Sequence, residues 1–99
     1  MTKEEYKNLF DGRPSVVKFG AQWCNPCKDM DKILERIEPL YPNINFVHVD
    51  VEESDDLVQM FQISNVPTTM FINSDGENFV RKVGLMHEKA IIAEIDKLC

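Results

Sequence analysis

Cys24 and Cys27 stand three positions apart in Trp23-Cys24-Asn25-Pro26-Cys27, a spacing at which two thiols can open and close a disulfide. The pair falls where a strand-like run, Ser15-Val16-Val17-Lys18-Phe19-Gly20, gives way to a helix-like one. Pro26 suits a first helical turn, where its missing N–H costs nothing. Cys24 at such a helix start faces unpaired backbone N–H groups and the positive end of the helix dipole. Both favour the thiolate, the form that attacks disulfides. One turn further on, Cys27 can return to the Cys24 sulfur. A two-step exchange follows, in which Cys24 attacks a client disulfide and Cys27 then displaces the client. The competing readings are half of a zinc site or two inert core thiols. Zinc normally takes four ligands, no second close cysteine pair exists, and His48 and His87 stand apart from ligand spacing. No metal and no bound cofactor are therefore expected, since the dithiol itself carries the electrons.

Composition narrows the rest. A chain of 99 residues makes one domain, residues 1–99, because compact units typically need roughly 100–150 residues. With 43% hydrophobic and 28% charged residues it is neither disordered nor membrane-spanning by composition. Its apolar runs fall far short of the ~20 residues of a spanning helix. A formal charge of −6 repels phosphate backbones and argues against nucleic acid as a partner. Three cysteines are too few for a disulfide scaffold. Met1-Thr2-Lys3-Glu4-Glu5 contains no apolar leader core, so a reducing cytoplasm is the expected setting and the close pair is redox-active there.

The elements that must hold the pair can be laid out in order. Thr2-Lys3-Glu4-Glu5 has the form of a capping box, and Tyr6, Leu9 and Phe10 follow at helical spacing, with Asp11-Gly12 and Pro14 as the stop. After the first strand, Met30, Ile33, Leu34 and Ile37 form an apolar helical stripe, while Asp31, Lys32, Glu35 and Arg36 face water. Pro39 and Pro42 end that helix. Ile44 to Asp50 reads as a second strand. Acidic residues at 52–56 then start a short helix buried through Leu57, Val58 and Phe61. Asn65-Val66-Pro67 breaks the chain before a third strand, Thr68 to Asn73. Ser74-Asp75-Gly76-Glu77 turns it into a fourth, Phe79 to Val83. His87 to Cys99 closes as a helix buried through Ile91, Ile92, Ile95 and Leu98. The fold class is α/β. Two parallel strands joined by a helix and a final antiparallel hairpin form a mixed four-stranded sheet, flanked by helices on both faces.

At this point the chain resembles the thioredoxin family. Val16 to Lys28 is similar to that family's active-site strand and loop, Val66-Pro67-Thr68 resembles its cis-proline loop, and Lys82-Val83-Gly84 resembles the segment whose glycine lies beside the dithiol. The resemblance implies that Pro67 is cis and lies against the sulfurs. It also implies that the backbone of Val66 pairs with an extended client segment. Trp23, Asn25, Pro26, Val66 and Gly84, with Pro67 and Leu85, would surround the sulfurs as the client-binding surface. Without the cysteine pair, Pro67 reads simply as a trans turn proline. The family further implies a monomeric protein-disulfide reductase that is recharged by a thioredoxin-reductase-like flavoprotein and acts on client proteins with disulfides. Two alternatives remain: a glutathione-coupled, glutaredoxin-like reductase, and a binding or scaffold module built on the same fold. Trp-Cys-Asn-Pro-Cys is closer to thioredoxin than to glutaredoxin, and a pure scaffold has no need of both cysteines.

The chain departs from the family's pattern in four places. Lys18 stands where the family usually buries a carboxylate that accepts the proton of the second cysteine. Neutral Lys18 could act as the base for Cys27, protonated Lys18 could stabilise a thiolate, or the side chain could snorkel to solvent and do neither. His48, on the neighbouring strand, falls close to Lys18 and could relay protons or simply be exposed. Asn25 replaces the usual glycine between the cysteines, a position that tunes redox poise. Only 22 residues precede Trp23, so the family's first, sheet-edge strand is expected to be absent. Lys32 replaces a helix-kinking proline, which predicts a straighter helix. Cys99 reads as an incidental terminal thiol, with a resolving or dimerising role as the alternative, and His87 as a solvated helix start.

Overall fold

The β-branched and aromatic side chains of Ser15–Gly20 form the central strand β1, in which every residue is buried. The computed structural model describes residues 1–8 and 11–98, so the expectations placed on Leu9, Phe10 and Cys99 lie outside the described residues. β2 (Asn45–Asp50) pairs parallel to β1 on one side. On the other side β3 (Thr68–Ile72) pairs antiparallel, and β4 (Phe79–Val83) extends the sheet antiparallel to β3. The strand order is β2-β1-β3-β4, the mixed four-stranded sheet expected from the element order.

Alternation along β1 divides the core into two layers. Val17 and Phe19 face one side, where Tyr6 of α1 (Lys3–Asn8) and Leu57 of α3 (Asp55–Phe61) meet Met70 and Ile72. Val16 faces the other, where Met30, Leu34 and Ile37 of α2 (Asn25–Ile37) and Ile91 and Ile95 of α4 (Glu88–Ile95) cover Phe71. Lys18 and Gly20 share the parity of Val16, so the charged residue of β1 points toward the helix that carries the cysteines.

The local signals read from the sequence have their partners. Thr2 Oγ1 accepts the Glu5 N–H at 3.2 Å, and Glu5 Oε1 accepts the Thr2 N–H in return. α2 runs unbroken to Ile37 and passes into a single 3₁₀ turn, Glu38–Leu40, that accommodates Pro39. The closing helix is shorter than the sequence pattern implied. α4 ends at Ile95, and Lys97 and Leu98 bond back to Glu94 and Ile95, three residues earlier. Leu98 still packs on the second layer. Apolar spacing survives this tightening of the last turn, which is why periodicity alone overran the helix.

Asp75 holds the β3–β4 turn by accepting the N–H groups of Glu77 and Asn78 at 2.8 and 2.9 Å, while Gly76 adopts φ +73°. The N–H groups of Asn78 and Glu77 keep the Asp75 carboxyl below its usual range. The Arg13 side chain holds that of Asp11 at about 2. Both carboxylates are stabilised in the folded chain, so their contribution is complete above the ordinary carboxylate range of about 4 and is lost as pH falls toward 2. Thermal melts across that interval should fall less steeply in Asp11→Asn and Asp75→Asn than in the native chain.

Candidate active site

The β1-to-α2 junction places Cys24 as the N-cap of α2, with extended backbone angles and Pro26 in the first turn. Cys24 Sγ accepts the N–H of Cys27 at 3.2 Å, so the sulfur occupies the position where a capping oxygen would normally sit. The two cysteines are joined as a disulfide, with Cα atoms 5.2 Å apart. Cys27 is 1% exposed and Cys24 5%, and Ala21, Val51 and Val66 pack around them.

The elements opposite complete the surround. The Val66-Pro67 peptide is cis, as the resemblance implied, and Pro67 is buried. Gly84, at φ +97°, donates its N–H to the Pro67 carbonyl at 2.8 Å. That left-handed conformation disfavours any Cβ, so glycine is required to tie the end of β4 to the proline loop. Thr68 Oγ1 donates to the Asn65 carbonyl at 2.6 Å from the loop's other side. Trp23 is 68% exposed and shares with Val66, Val51, Val58 and Ile63 a groove of about 450 Å³. Asn25, Pro26 and Leu85 are exposed. Three separate parts of the chain thus meet on this side: Val66 packs against the cysteines, Trp23 shares its groove, and Gly84 is tied to Pro67.

Beneath Cys27 the structure excludes the solvent-directed arrangement of Lys18. Its side chain is only 6% exposed, and its ammonium lies 2.5 Å from Asp31 Oδ1. Asp31 is therefore not on the water-facing side of α2, as the stripe pattern implied; it is half-buried and turned toward β1. It lies four residues after Cys27, one helical turn along the same face, which is the signal that could have found it. His48, paired with Lys18 across the β1–β2 ladder, brings Nδ1 to 3.2 Å from the same Asp31 oxygen while staying exposed. Lys18, Asp31 and His48 line an open depression of about 540 Å³ together with Gly20, Lys28 and Asp50. His87 is the exposed N-cap of α4, outside this cluster. Among the described residues no group of three or more His, Cys, Asp or Glu side chains converges as a metal site.

Gly20 is the spacer between this cluster and the disulfide. A β-carbon there would lie 2.7 Å from Lys18 Nζ and 3.3 Å from both Cβ and Sγ of Cys27. The lysine tip can swing aside, but the Cys27 atoms are fixed by α2. Gly20→Ala should therefore destabilise the fold by about 1–3 kcal/mol and slow disulfide exchange. Urea unfolding and insulin reduction measure the two effects.

The fold and much of the sequence recur among known proteins. The Thioredoxin family profile matches residues 1–97. A thioredoxin of Borreliella burgdorferi is 37% identical over 92 residues, spanning 87% of this chain and 78% of its own. The crystal structure of Fasciola hepatica thioredoxin superposes with a TM-score of 0.90 at 29% identity, covering 99% of this chain and 95% of that one. Oxidised mitochondrial thioredoxin 3 of Saccharomyces cerevisiae gives 0.87 at 31% identity, covering 98% and 91%. A dithiol at a helix start under a cis-proline loop thus comes with agreement along nearly the whole chain. The protein belongs to the thioredoxin family and is a thiol-disulfide oxidoreductase that acts on protein disulfides.

Proposed function

We propose that Cys24 is the nucleophile and Cys27 the resolving thiol of a dithiol reductase working in the cytoplasm as a monomer, 1–99 acting as one unit. The observation that carries this assignment is the position of Cys24 at the α2 N-terminus, where free N–H groups and the helix dipole favour its thiolate. Cys27 lies deeper, one turn into the helix, and suits the second, intramolecular attack. The thiolate of Cys24 attacks one sulfur of the client disulfide, and the other client sulfur leaves. Cys27 then attacks Cys24, the client's second sulfur leaves, and the protein is oxidised as the client is reduced. Trp23, Asn25, Pro26, Val66 and Gly84 form the surface against which the client lies. Val66 and Pro67 offer backbone to an extended client segment in a strand-like contact.

The oxidised protein must be recharged, and a thioredoxin-reductase-like flavoprotein with NADPH is the proposed electron donor. The formal charge of −6 disfavours the carboxylates of glutathione. Insulin reduction coupled to thioredoxin reductase and NADPH should run at least about tenfold faster than with glutathione and glutathione reductase, a gap of about 1.4 kcal/mol in barrier. The reverse order would assign the protein to a glutathione-coupled system. No turnover with either donor would favour a scaffold role.

A further inference from the structure

Asp31 lies outside the motifs by which the family is known, yet it holds the ammonium beneath the dithiol. We propose that Lys18, Asp31 and His48 form a counter-ion relay, in which the ammonium of Lys18 passes from the Asp31 carboxylate to the Cys27 thiolate as His48 takes its place beside Asp31. The proposal rests on Cys27 being the resolving thiol.

Three observations carry it. First, in the disulfide form the buried ammonium has Asp31 Oδ1 as its counter-ion. An ammonium this deeply buried needs an anion, because burial otherwise disfavours its charge. Second, the same position beside Gly20 lies 2.7 Å from Nζ and 3.3 Å from Cys27 Sγ, so the two are at most about 6 Å apart, within the range where an opposite charge favours ionisation. The sulfur becomes a second candidate anion for the ammonium once reduction opens the disulfide. Third, Asp31 already has a replacement partner, because His48 Nδ1 lies 3.2 Å from the oxygen that Lys18 uses. His48 is 45% exposed and lines the depression, where solvent reaches it. The other charged groups facing this space are Lys28 from α2 and Asp50 from β2, whereas β3 presents the uncharged Thr69 to Lys18.

The step balances. Cys27 gives its proton to His48, and its sulfur keeps the electron pair. Lys18 pairs with that sulfur, and the imidazolium of His48 pairs with Asp31. The thiolate then attacks Cys24 of the mixed disulfide, so that the Cys24–Cys27 bond forms and the Cys24–client bond breaks. The client sulfur leaves with the electron pair and takes up the proton that His48 releases. Lys18 returns to Asp31. Asp31 is thus a positioning residue that acts through the ammonium, whereas His48 also takes up and returns the proton.

The relay predicts shifts of opposite sign from two nearly isosteric substitutions. Cys27 can be observed alone in the 99-residue chain with Cys24→Ser and Cys99→Ser, its ionisation followed by thiolate ultraviolet absorbance. Lys18→Met leaves the carboxylate facing the sulfur, and should cut the thiolate fraction at a fixed pH about tenfold, one unit of midpoint. Asp31→Asn leaves the sulfur as the ammonium's main anion, and should raise that fraction severalfold. With both cysteines present, His48→Gln should slow client release from a preformed mixed disulfide and flatten its pH dependence across the imidazole range. Shifts of the same sign, or below twofold in chains with native melting temperatures, overturn the relay. So does an unchanged pH profile in His48→Gln. If Lys18→Met does not fold, the sign of the Asp31→Asn shift decides alone. Failure of the reductase assignment is read separately, as insulin turnover that persists in Cys24→Ser.

Discussion

Cys24→Ser is expected to lower insulin reduction by more than about a thousandfold, to the rate at which dithiothreitol acts alone, the scale on which loss of a covalent nucleophile acts. A serine hydroxyl at the same helix start remains protonated at neutral pH, and neither the dipole nor the N–H groups there can ionise it. The fold should survive, because serine is a good N-cap and its oxygen can accept the Cys27 N–H that the sulfur now accepts. An unchanged melting temperature would establish that the loss is chemical. Cys27→Ser should differ in kind. The first attack proceeds, the second cannot, and the client stays attached through Cys24. A stable mixed disulfide on a non-reducing gel, absent from Cys24→Ser, separates the two roles. If the trapped adduct formed through Cys27 instead, the assignment would be reversed.

The largest loss of stability should follow Phe19→Ala. Phe19 is fully buried in the layer beneath α1 and α3, and its ring meets the edge of Phe61 with centroids 5.6 Å apart. Truncation removes apolar surface and leaves a cavity that β1, paired on both sides, cannot collapse to fill. The expected cost is about 3–5 kcal/mol, against a total stability of about 5–15 kcal/mol for such domains. Urea unfolding should show a much lower midpoint with an unchanged slope. Activity should fall as well, because β1 carries Lys18 and Gly20 beneath the dithiol. Phe79→Ala provides the contrast, since Phe79 on the outer strand β4 is 49% exposed and its loss should cost less than about 1 kcal/mol. Equal effects at the two positions would contradict the two-layer core.

Most of the architecture was legible because its signals are local. The Thr2–Glu5 capping box, Pro26 at the start of α2, the Asp75 turn and the alternation within β1 each act over a few residues, and each is present in the folded chain. A local pattern misleads where it is neutral between two outcomes. Leu98 fits a helical stripe equally well when the final turn tightens, so periodicity carries the helix past Ile95, where α4 ends. Asp31 fits a solvated helix face by type, and only the presence of an inward ammonium on β1 turns it inward.

The order β2-β1-β3-β4 was not legible, because pairing between strands far apart in sequence depends on the packing of both layers. The same holds for the approach of Gly84 to Pro67 and for the groove shared by Trp23 and Val66. By itself the sequence determined the dithiol, its place at a helix start and the α/β pattern around it, since thiol spacing, capping and periodicity are written in neighbouring residues. Only the tertiary structure decided the environment beneath the dithiol. Three charged or titratable groups from β1, α2 and β2 meet there because burying an ammonium requires an anion, and the packed sheet and helix bring Asp31 to 2.5 Å from it.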